Sequence, residues 1–426
     1  MAKAKSKKIT IEEALVPVEE QEYNIPNNWI WIYQNFVCQL ANGEKMSGEE
    51  YPYLEVKYLR GDTDAEIKDS GRFITANTKV ILVDGENSGE VFEVLEDGYM
   101  GSTFKALNIS EIVNEKYLLY YVDSKRELLK KNKTGSAIPH LNKRLFLGLG
   151  FPLPPLPEQQ RIVEQIESLF SKLDEAKEKA QEVIDRYEAR NAAVYNDAFS
   201  GRLTAQWRKD NYKENKWETK RFDEVADIKS NLVEPSNYLE FPHIAPDNIE
   251  KRTGILLDYH TIAEDGVKSG KHRFYAGQIL YSKIRPYLSK VVMVDFDGLC
   301  SADMYPIEAK ENTKYLLYYM LSDMFLEQAS SAGSRSVLPK INQKELSAIK
   351  VRITSDEEQK EVVRILDYLL PMMQQVRDKA VQVVDNIDTI KKSILAKAFR
   401  GELGTNISED ESAMELLKII LNKGEC

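Results

Sequence analysis

Between Gly266 and Lys290 the chain places six cations, Lys268, Lys271, Arg273, Lys283, Arg285 and Lys290, and no acid, although 68 acids in 426 residues predict about four in that length. Tyr275, Tyr281 and Tyr287 interleave with them. Ammonium and guanidinium groups beside aromatic hydroxyls suit phosphate oxygens, and Arg and Lys also present donors to guanine edges. A comparable cluster runs Lys125, Arg126, Lys130, Lys131, Lys133, then the loop GSAIPHLN with Ser136, then Lys143 and Arg144, with Asp123 and Glu127 the acids among them. The loop GSRSVLPKIN repeats the pattern with Ser334, Arg335 and Lys340. A Gly-Ser entry into a proline-containing loop exposes backbone amides and a hydroxyl to a phosphate, although an ordinary turn has the same composition. Asn77 and Asn87 offer bidentate contacts to adenine.

Bond-making chemistry has no comparable support. The chain contains no GxxxxGK[ST], HExxH, GxSxG or GxGxxG, and no Asn-Pro-Pro or Asp-Pro-Pro. His140, His243, His260 and His272 are scattered, and Cys38, Cys300 and Cys426 lack CxxC spacing, so neither a zinc site nor a disulfide framework is expected. No catalytic residue and no metal ligand is assigned.

The elements that must position the cations follow from an internal repeat. YLLYY at Tyr117 to Tyr121 recurs at Tyr315 to Tyr319, and SAIPHLN from Ser136 recurs as SVLPKIN from Ser336. EQQRIV from Glu158 answers EQKEVV from Glu358, and AFSGRL from Ala198 answers AFRGEL from Ala398, the last three pairs sharing an offset of 200 residues. Solenoid and propeller units are about 20 to 50 residues, so this period indicates a duplicated domain pair. The first part of each half is rich in Tyr, Val and Ile and carries Asp-Gly turns at Asp84, Asp97, Asp265 and Asp297, which predicts a mixed sheet domain.

From Glu158 and Glu358 onward, apolar residues recur at steps of four and three, the heptad pattern of paired helices. The first seam runs Ile162, Ile166, Leu169, Leu173, Ala176, Ala180, Val183, Tyr187, the misfit Arg190 and Val194. The second runs Val362, Leu366, Leu369, Met373, Val376, Ala380, Val383, Ile387, Ile390 and Ile394. Each helix of about 40 residues is roughly 60 Å long, the length of a spacer, and the simplest arrangement pairs them antiparallel around a pseudo-two-fold axis. Pro371 predicts a kink in the second helix, and Gly201 and Gly401 look like helix stops.

Bulk properties bound the remaining choices. A net charge of −10 argues against coating nucleic acid by overall electrostatics, so local clusters must decide. No apolar run suffices for a membrane span, and the opening MAKAKSKK lacks the apolar core of a secretory signal, which predicts a cytoplasmic protein with a flexible basic arm.

Taken together, PLPPLPEQQRIV at Pro152 to Val163, NDAFSGRL, GQILYSKIRPYLSKV at Gly277 to Val291, the LPKIN loop and EQKEVVRILDYLLP resemble the specificity subunits of type I restriction-modification systems. The resemblance covers nearly the whole chain. It departs at ITSDEEQK, where the prolines of the first half are replaced, and the first domain reads ILVDGENSGEVFEV where the second reads ILYSKIRPYLSKVV. The implied fold class is α+β, with two mixed-sheet target-recognition domains separated by an antiparallel coiled coil. The expected division is a flexible arm at 1–20, domains at 21–153 and 205–353, spacer helices at 154–204 and 354–404, and a C-terminal tail at 405–426. The resemblance implies binding of double-stranded DNA at an asymmetric bipartite site, two methyltransferase subunits and, in the full complex, restriction and translocation subunits. S-adenosylmethionine would belong to the methyltransferase and no cofactor to this chain. The competing class is a coiled-coil scaffold that holds protein partners and touches no DNA; a fused methyltransferase would require the catalytic motifs the chain lacks.

Overall fold

The computed structural model describes residues 10–135, 139–214, 216–332 and 339–423. They fall into two compact units, Met1–Glu178 with Val383–Cys426, and Lys179–Gln382. Each unit contains one recognition domain, the beginning of one long helix and the end of the other.

In the first unit, Ile30–Tyr33 pairs antiparallel with Gly150–Leu153, closing the domain where the chain enters and leaves it. A four-stranded antiparallel sheet follows, with Cys38–Ala41, Phe104–Ile109, Lys79–Leu82 and Val91–Glu93 side by side. Glu44–Leu54, Ile67–Ile74 and Gly98–Met100 form a small closed barrel that includes a parallel pair, Tyr53 to Tyr99. The second unit has the same plan. Glu218–Arg221 pairs with Lys350–Ile353, and Ala226–Ile228, Met304–Ala309, Ile279–Ser282 and Val291–Met293 make the four-stranded sheet. Its second sheet has five short strands and a parallel pair, His243 to Leu299. The mixed sheets expected from the sequence are present in both domains.

The repeated YLLYY segments explain how the helices attach. Asn114 and Asn312 cap the helices Glu115–Ser124 and Thr313–Leu321 by accepting from the amides of Tyr117 (3.2 Å) and Tyr315 (3.1 Å). Tyr117 then donates to the Pro152 carbonyl (2.8 Å), and Tyr121 to that of Gly150. Tyr315 and Tyr319 likewise donate to Arg352 (2.7 Å) and Lys350 (3.0 Å). Against these rings sits the phenylalanine of the helix exit: Phe399 lies 5.3 and 5.1 Å from Tyr117 and Tyr121, and Phe199 lies 5.3 and 5.0 Å from Tyr315 and Tyr319, all edge-on. Such pairs contribute about 0.5–1.5 kcal/mol each beyond the area they bury.

The long helices run antiparallel within each unit. Ile162 and Ile166 share a core with Leu395, Ala398 and Phe399, whereas Asp174 meets Lys391 (2.6 Å) farther along. In the second unit Val362 and Leu366 pack with Tyr195, Ala198 and Phe199, and Tyr187 hydrogen-bonds Gln374. Gly201 and Gly401 end the helices at φ of 80° and 72°, and a Cβ at either would meet Trp217 (2.8 Å) or Pro26 (2.4 Å).

Three expectations change. Pro371 lies inside the second helix, Asp356–Phe399, while the first is divided at Arg186 into Leu156–Asp185 and Tyr187–Phe199. On the second seam Val376, Val383 and Ile390 are 48, 43 and 42% exposed. A straight α-helix drifts relative to a strict seven-residue repeat, and the inward positions pass to Gln374, Arg377 and Lys391, with Arg377 over the Tyr187 ring (5.4 Å) and Lys391 over that of Phe170 (4.9 Å). Part of the expected flexible arm is packed: Thr10 and Glu13 form a capping box on Ile11–Ala14, and Ala14 is fully buried, whereas Pro17 to Glu20 are exposed. The expected tail contains the helix Met414–Lys423, whose Leu417, together with Ala413, lies in the same core.

The Glu-Gln pair that opens each long helix is buried and differently partnered. Gln159 and Gln359 accept from the Asn114 and Asn312 amides (2.8 and 3.2 Å). Glu358 accepts from Thr204 (2.5 Å), Trp217 (3.0 Å) and Thr354 (2.8 Å) and pairs with Arg208. Glu158 has Trp29 (2.7 Å) and Asn406 (2.8 Å) on one oxygen and no partner on the other, and burial raises its pKa. Replacing Glu358 by Gln leaves Arg208 unpaired and should cost about 3 kcal/mol in a denaturant titration at neutral pH, whereas Glu158→Gln should change stability by less than about 1 kcal/mol. Because the folded-state pKa of Glu158 is raised, the folded state takes its proton first. Wild type should therefore gain stability relative to Glu158→Gln as pH falls through the raised pKa, levelling off below the ordinary value of 4.5.

Candidate nucleic-acid interface

In the second domain the strand Ile279–Ser282 is buried along its whole length, so the segment after it emerges at the surface. There it meets the chain leaving the LPKIN loop. The Arg285 amide donates to the Pro339 carbonyl (2.8 Å), Ile341 donates to Lys283 (2.9 Å), and Ile284 bridges to Lys340. Lys283, Arg285 and Lys340 thereby meet at one junction, where Lys283 donates to the Ala302 carbonyl (2.6 Å) and lies over the Tyr305 ring (5.4 Å). Asp303 lies 3.7 Å from Lys283 and 3.2 Å from Lys340. Arg285 is exposed, and Tyr287 is 49% exposed. Arg285 and Ser289 adopt left-handed backbone at φ of 49° and 44°, where the first domain, 200 residues earlier, has Gly85 and Gly89 at positive φ. A side chain in that region costs about 1–2 kcal/mol, and strain of this kind gathers at functional positions.

The remaining cations expected in this domain divide by environment. Lys268 is exposed. Lys271 is buried, its pKa lowered by that burial, and it donates to the Ser269 carbonyl (2.9 Å) and hydroxyl (2.8 Å). Arg273 is enclosed by Tyr275 (4.8 Å), Tyr238 (5.4 Å) and Phe241 (5.9 Å). Lys290 donates to the Pro246 carbonyl (2.7 Å) and to Asp247 (3.3 Å). Lys271, Arg273 and Lys290 thus serve the fold first. Ser334 and Arg335 lie outside the described residues, as does Ser136.

The first domain builds the same junction from other residues. Gly85 donates to the Pro139 carbonyl (2.7 Å), Leu141 donates to Val83 (2.8 Å), and Asp84 meets His140 (2.7 Å). Its expected cations are mostly neutralised locally: Lys125 pairs with Glu22 (2.5 Å), Arg126 with Glu90 (3.4 Å) and Lys133 with Glu86 (3.7 Å). Lys143, at the start of the helix Lys143–Leu147, is exposed and has no ion pair among the described residues. Three cations outside the expected set, Lys45, Arg72 and Lys105, lie in strands of this domain.

The model of the type I restriction modification DNA specificity domain matches residues 26–186 and again 214–379, one match for each half of the repeat. The chain belongs to this family. As a specificity subunit it is 38% identical over 339 residues to the EcoDI specificity subunit of Escherichia coli, covering 72% of this chain and 76% of that one. It is 26% identical over 413 residues to the MjaVIII specificity subunit of Methanocaldococcus jannaschii, covering 89% and 94%. The fold is shared with the HsdS subunit of Thermoanaerobacter tengcongensis at a TM-score of 0.64 and 16% identity, over 90% of this chain and all of that one. A chain from a structural study of type I complex assembly and conformational transition gives the same TM-score at 17% identity, over 89% and 100%. Family membership sets aside the scaffold alternative. No helix among the described residues is long and apolar enough to cross a membrane.

Replacing Arg285 by Gly should release the left-handed strain and raise stability by about 1 kcal/mol in denaturant melts. A loss of stability would show that Arg285 has a packing role.

Proposed function

We propose that this specificity subunit binds double-stranded DNA at an asymmetric bipartite site, each recognition domain reading one half, with the antiparallel helix pair acting as a coiled-coil spacer that sets the unread gap. It docks two methyltransferase subunits and, in the complete assembly, restriction and translocation subunits, and it works in the cytoplasm. The chain itself is non-catalytic and holds no cofactor; S-adenosylmethionine belongs to the partner methyltransferase.

The observation that carries this reading is the patch around Arg285. An exposed guanidinium is held on strained backbone between two anchored segments, beside an exposed tyrosine and two lysines that share a single carboxylate. Backbone anchoring fixes where Arg285 leaves the chain, within reach of a base edge, and Lys340 across the junction supplies a phosphate contact that sets register. The duplicated junction in the first domain, with different side chains on the same hydrogen bonds, is what reading a different half-sequence calls for.

Selection of bound duplexes from a randomised pool, with this chain co-expressed with its methyltransferase, should return a gapped two-part motif. Arg285→Gly in the same assay should relax preference at one position of one half only, by about 10-fold or more. Robust binding without any motif would refute recognition by these domains.

A further inference from the structure

The barrel of the first domain carries a depression of about 510 Å³. Lys45, Ser47, Ser70, Arg72, Tyr53 and Ser102 contribute to its lining, which includes no acidic residue. Strand register explains the composition. Lys45 pairs with Arg72 and Ser47 with Ser70 across the two long strands, so these four side chains share one face. The alternate residues face the other way, where Gly71 lies so close to Tyr99 that a Cβ would approach it within 2.8 Å, and Tyr51 packs on Phe73 (4.9 Å). The aromatic face fills the barrel, and the cationic face is left to solvent.

Neither Lys45 nor Arg72 has an ion pair among the described residues. Lys105, on the adjoining sheet, donates to Asn42. Its pKa is lowered first by partial burial and then by the nearby positive charges of Lys143 and Arg72, against the opposing pull of Asp84, which is itself shared with His140. Arg72 thus has Lys45 across the strand pair and Lys105 nearby, and Lys105 in turn has Lys143 nearby, in a chain with ten more acids than bases. Lys125, Arg126 and Lys133 of the same domain have acidic partners, whereas Lys45, Arg72 and Lys143 have no ion pair among the described residues; like charges near one another repel, and the arrangement is relieved when a polyanion arrives.

We propose that Lys45, Arg72, Lys105 and Lys143 form the DNA-reading surface of the first domain, with the lysines on phosphates and the half-buried Arg72 guanidinium directed at a guanine edge. This rests on the reading that the domain binds duplex DNA, and it identifies the residues that do so. Arginine suits the role because its planar fork matches O6 and N7, while Ser47 on the same face adds a hydroxyl for a neighbouring base or phosphate; Ser70 donates its own to Asp69 (2.9 Å). The first domain then reads from its barrel as well as from the loop junction.

The test is fluorescence-anisotropy titration of the duplex selected by the wild-type complex, repeated over a series of salt concentrations. The Lys45→Gln/Lys105→Gln double variant should weaken binding to all duplexes alike and reduce the salt slope by about 1.8, at about 0.9 per lost phosphate contact. Arg72→Gln should relax discrimination at one base pair of one half-site by about 10- to 100-fold, and Arg72→Lys, which keeps the charge and the fold, should relax it less. Lys125→Gln, which removes an already neutralised cation, should bind as wild type does. If wild type binds its selected duplex tightly while the double variant keeps the full salt slope and Arg72→Gln keeps full discrimination, this assignment is overturned and the broader function stands. If wild type selects and binds no duplex, both fall.

Discussion

The fold depends on how the long helices are joined to the sheet domains, and the joint is a single phenylalanine set into a pair of tyrosines. Phe399 and Phe199 are buried against Tyr117 with Tyr121 and Tyr315 with Tyr319, whose hydroxyls are committed to carbonyls of the domain-closing strands. The helix end, the tyrosine helix and the first and last strands of the domain therefore share one set of contacts. At the other helix start, the buried Glu-Gln pair ties to residues beyond the exit glycine, so entry and exit are fixed together in each unit. A recognition loop gains a definite direction only because its supporting strand belongs to this rigid body.

On that frame the cations fall into two populations, and the distinction is electrostatic. Pairs such as Lys125 with Glu22, or enclosures such as Arg273 among three rings, satisfy the charge within the domain. Arg285, Lys45, Arg72 and Lys143 have no such partner among the described residues, and Arg285 occupies backbone that glycine would hold with less strain. Unsatisfied charge and retained strain both disfavour the free protein, and in the proposed interface both are offset by the binding of duplex DNA.

The repeat, the two helices, the mixed sheets and the helix-stopping glycines were legible because each leaves a local pattern. The offset of 200 carries through to structural equivalences such as Gly85 with Arg285, which the sequence shows only once the register is known. The neutralisation of Lys125 was not legible, since its partner Glu22 is 103 residues away. Lys45 and Arg72 were concealed by their neighbours: Glu44, Glu49, Glu50 and Asp69 make the local composition acidic, and only the two-residue alternation of paired strands separates the cationic face from the rest. The outward drift of Val376, Val383 and Ile390 reflects a helix that does not keep a strict seven-residue repeat, and the packing of Ile11, Ala14 and Leu15 depends on a core partly built from the far end of the chain.

In the proposed function the helix pair measures the distance between two independently read half-sites. The most direct test inserts about four residues, one helical turn, into both long helices at matched positions, between Glu178 and Lys179 and between Gln382 and Val383. Duplexes selected by the assembled complex should then keep both half-sequences and show a longer gap. An unchanged gap, with both half-sequences still read, would contradict it.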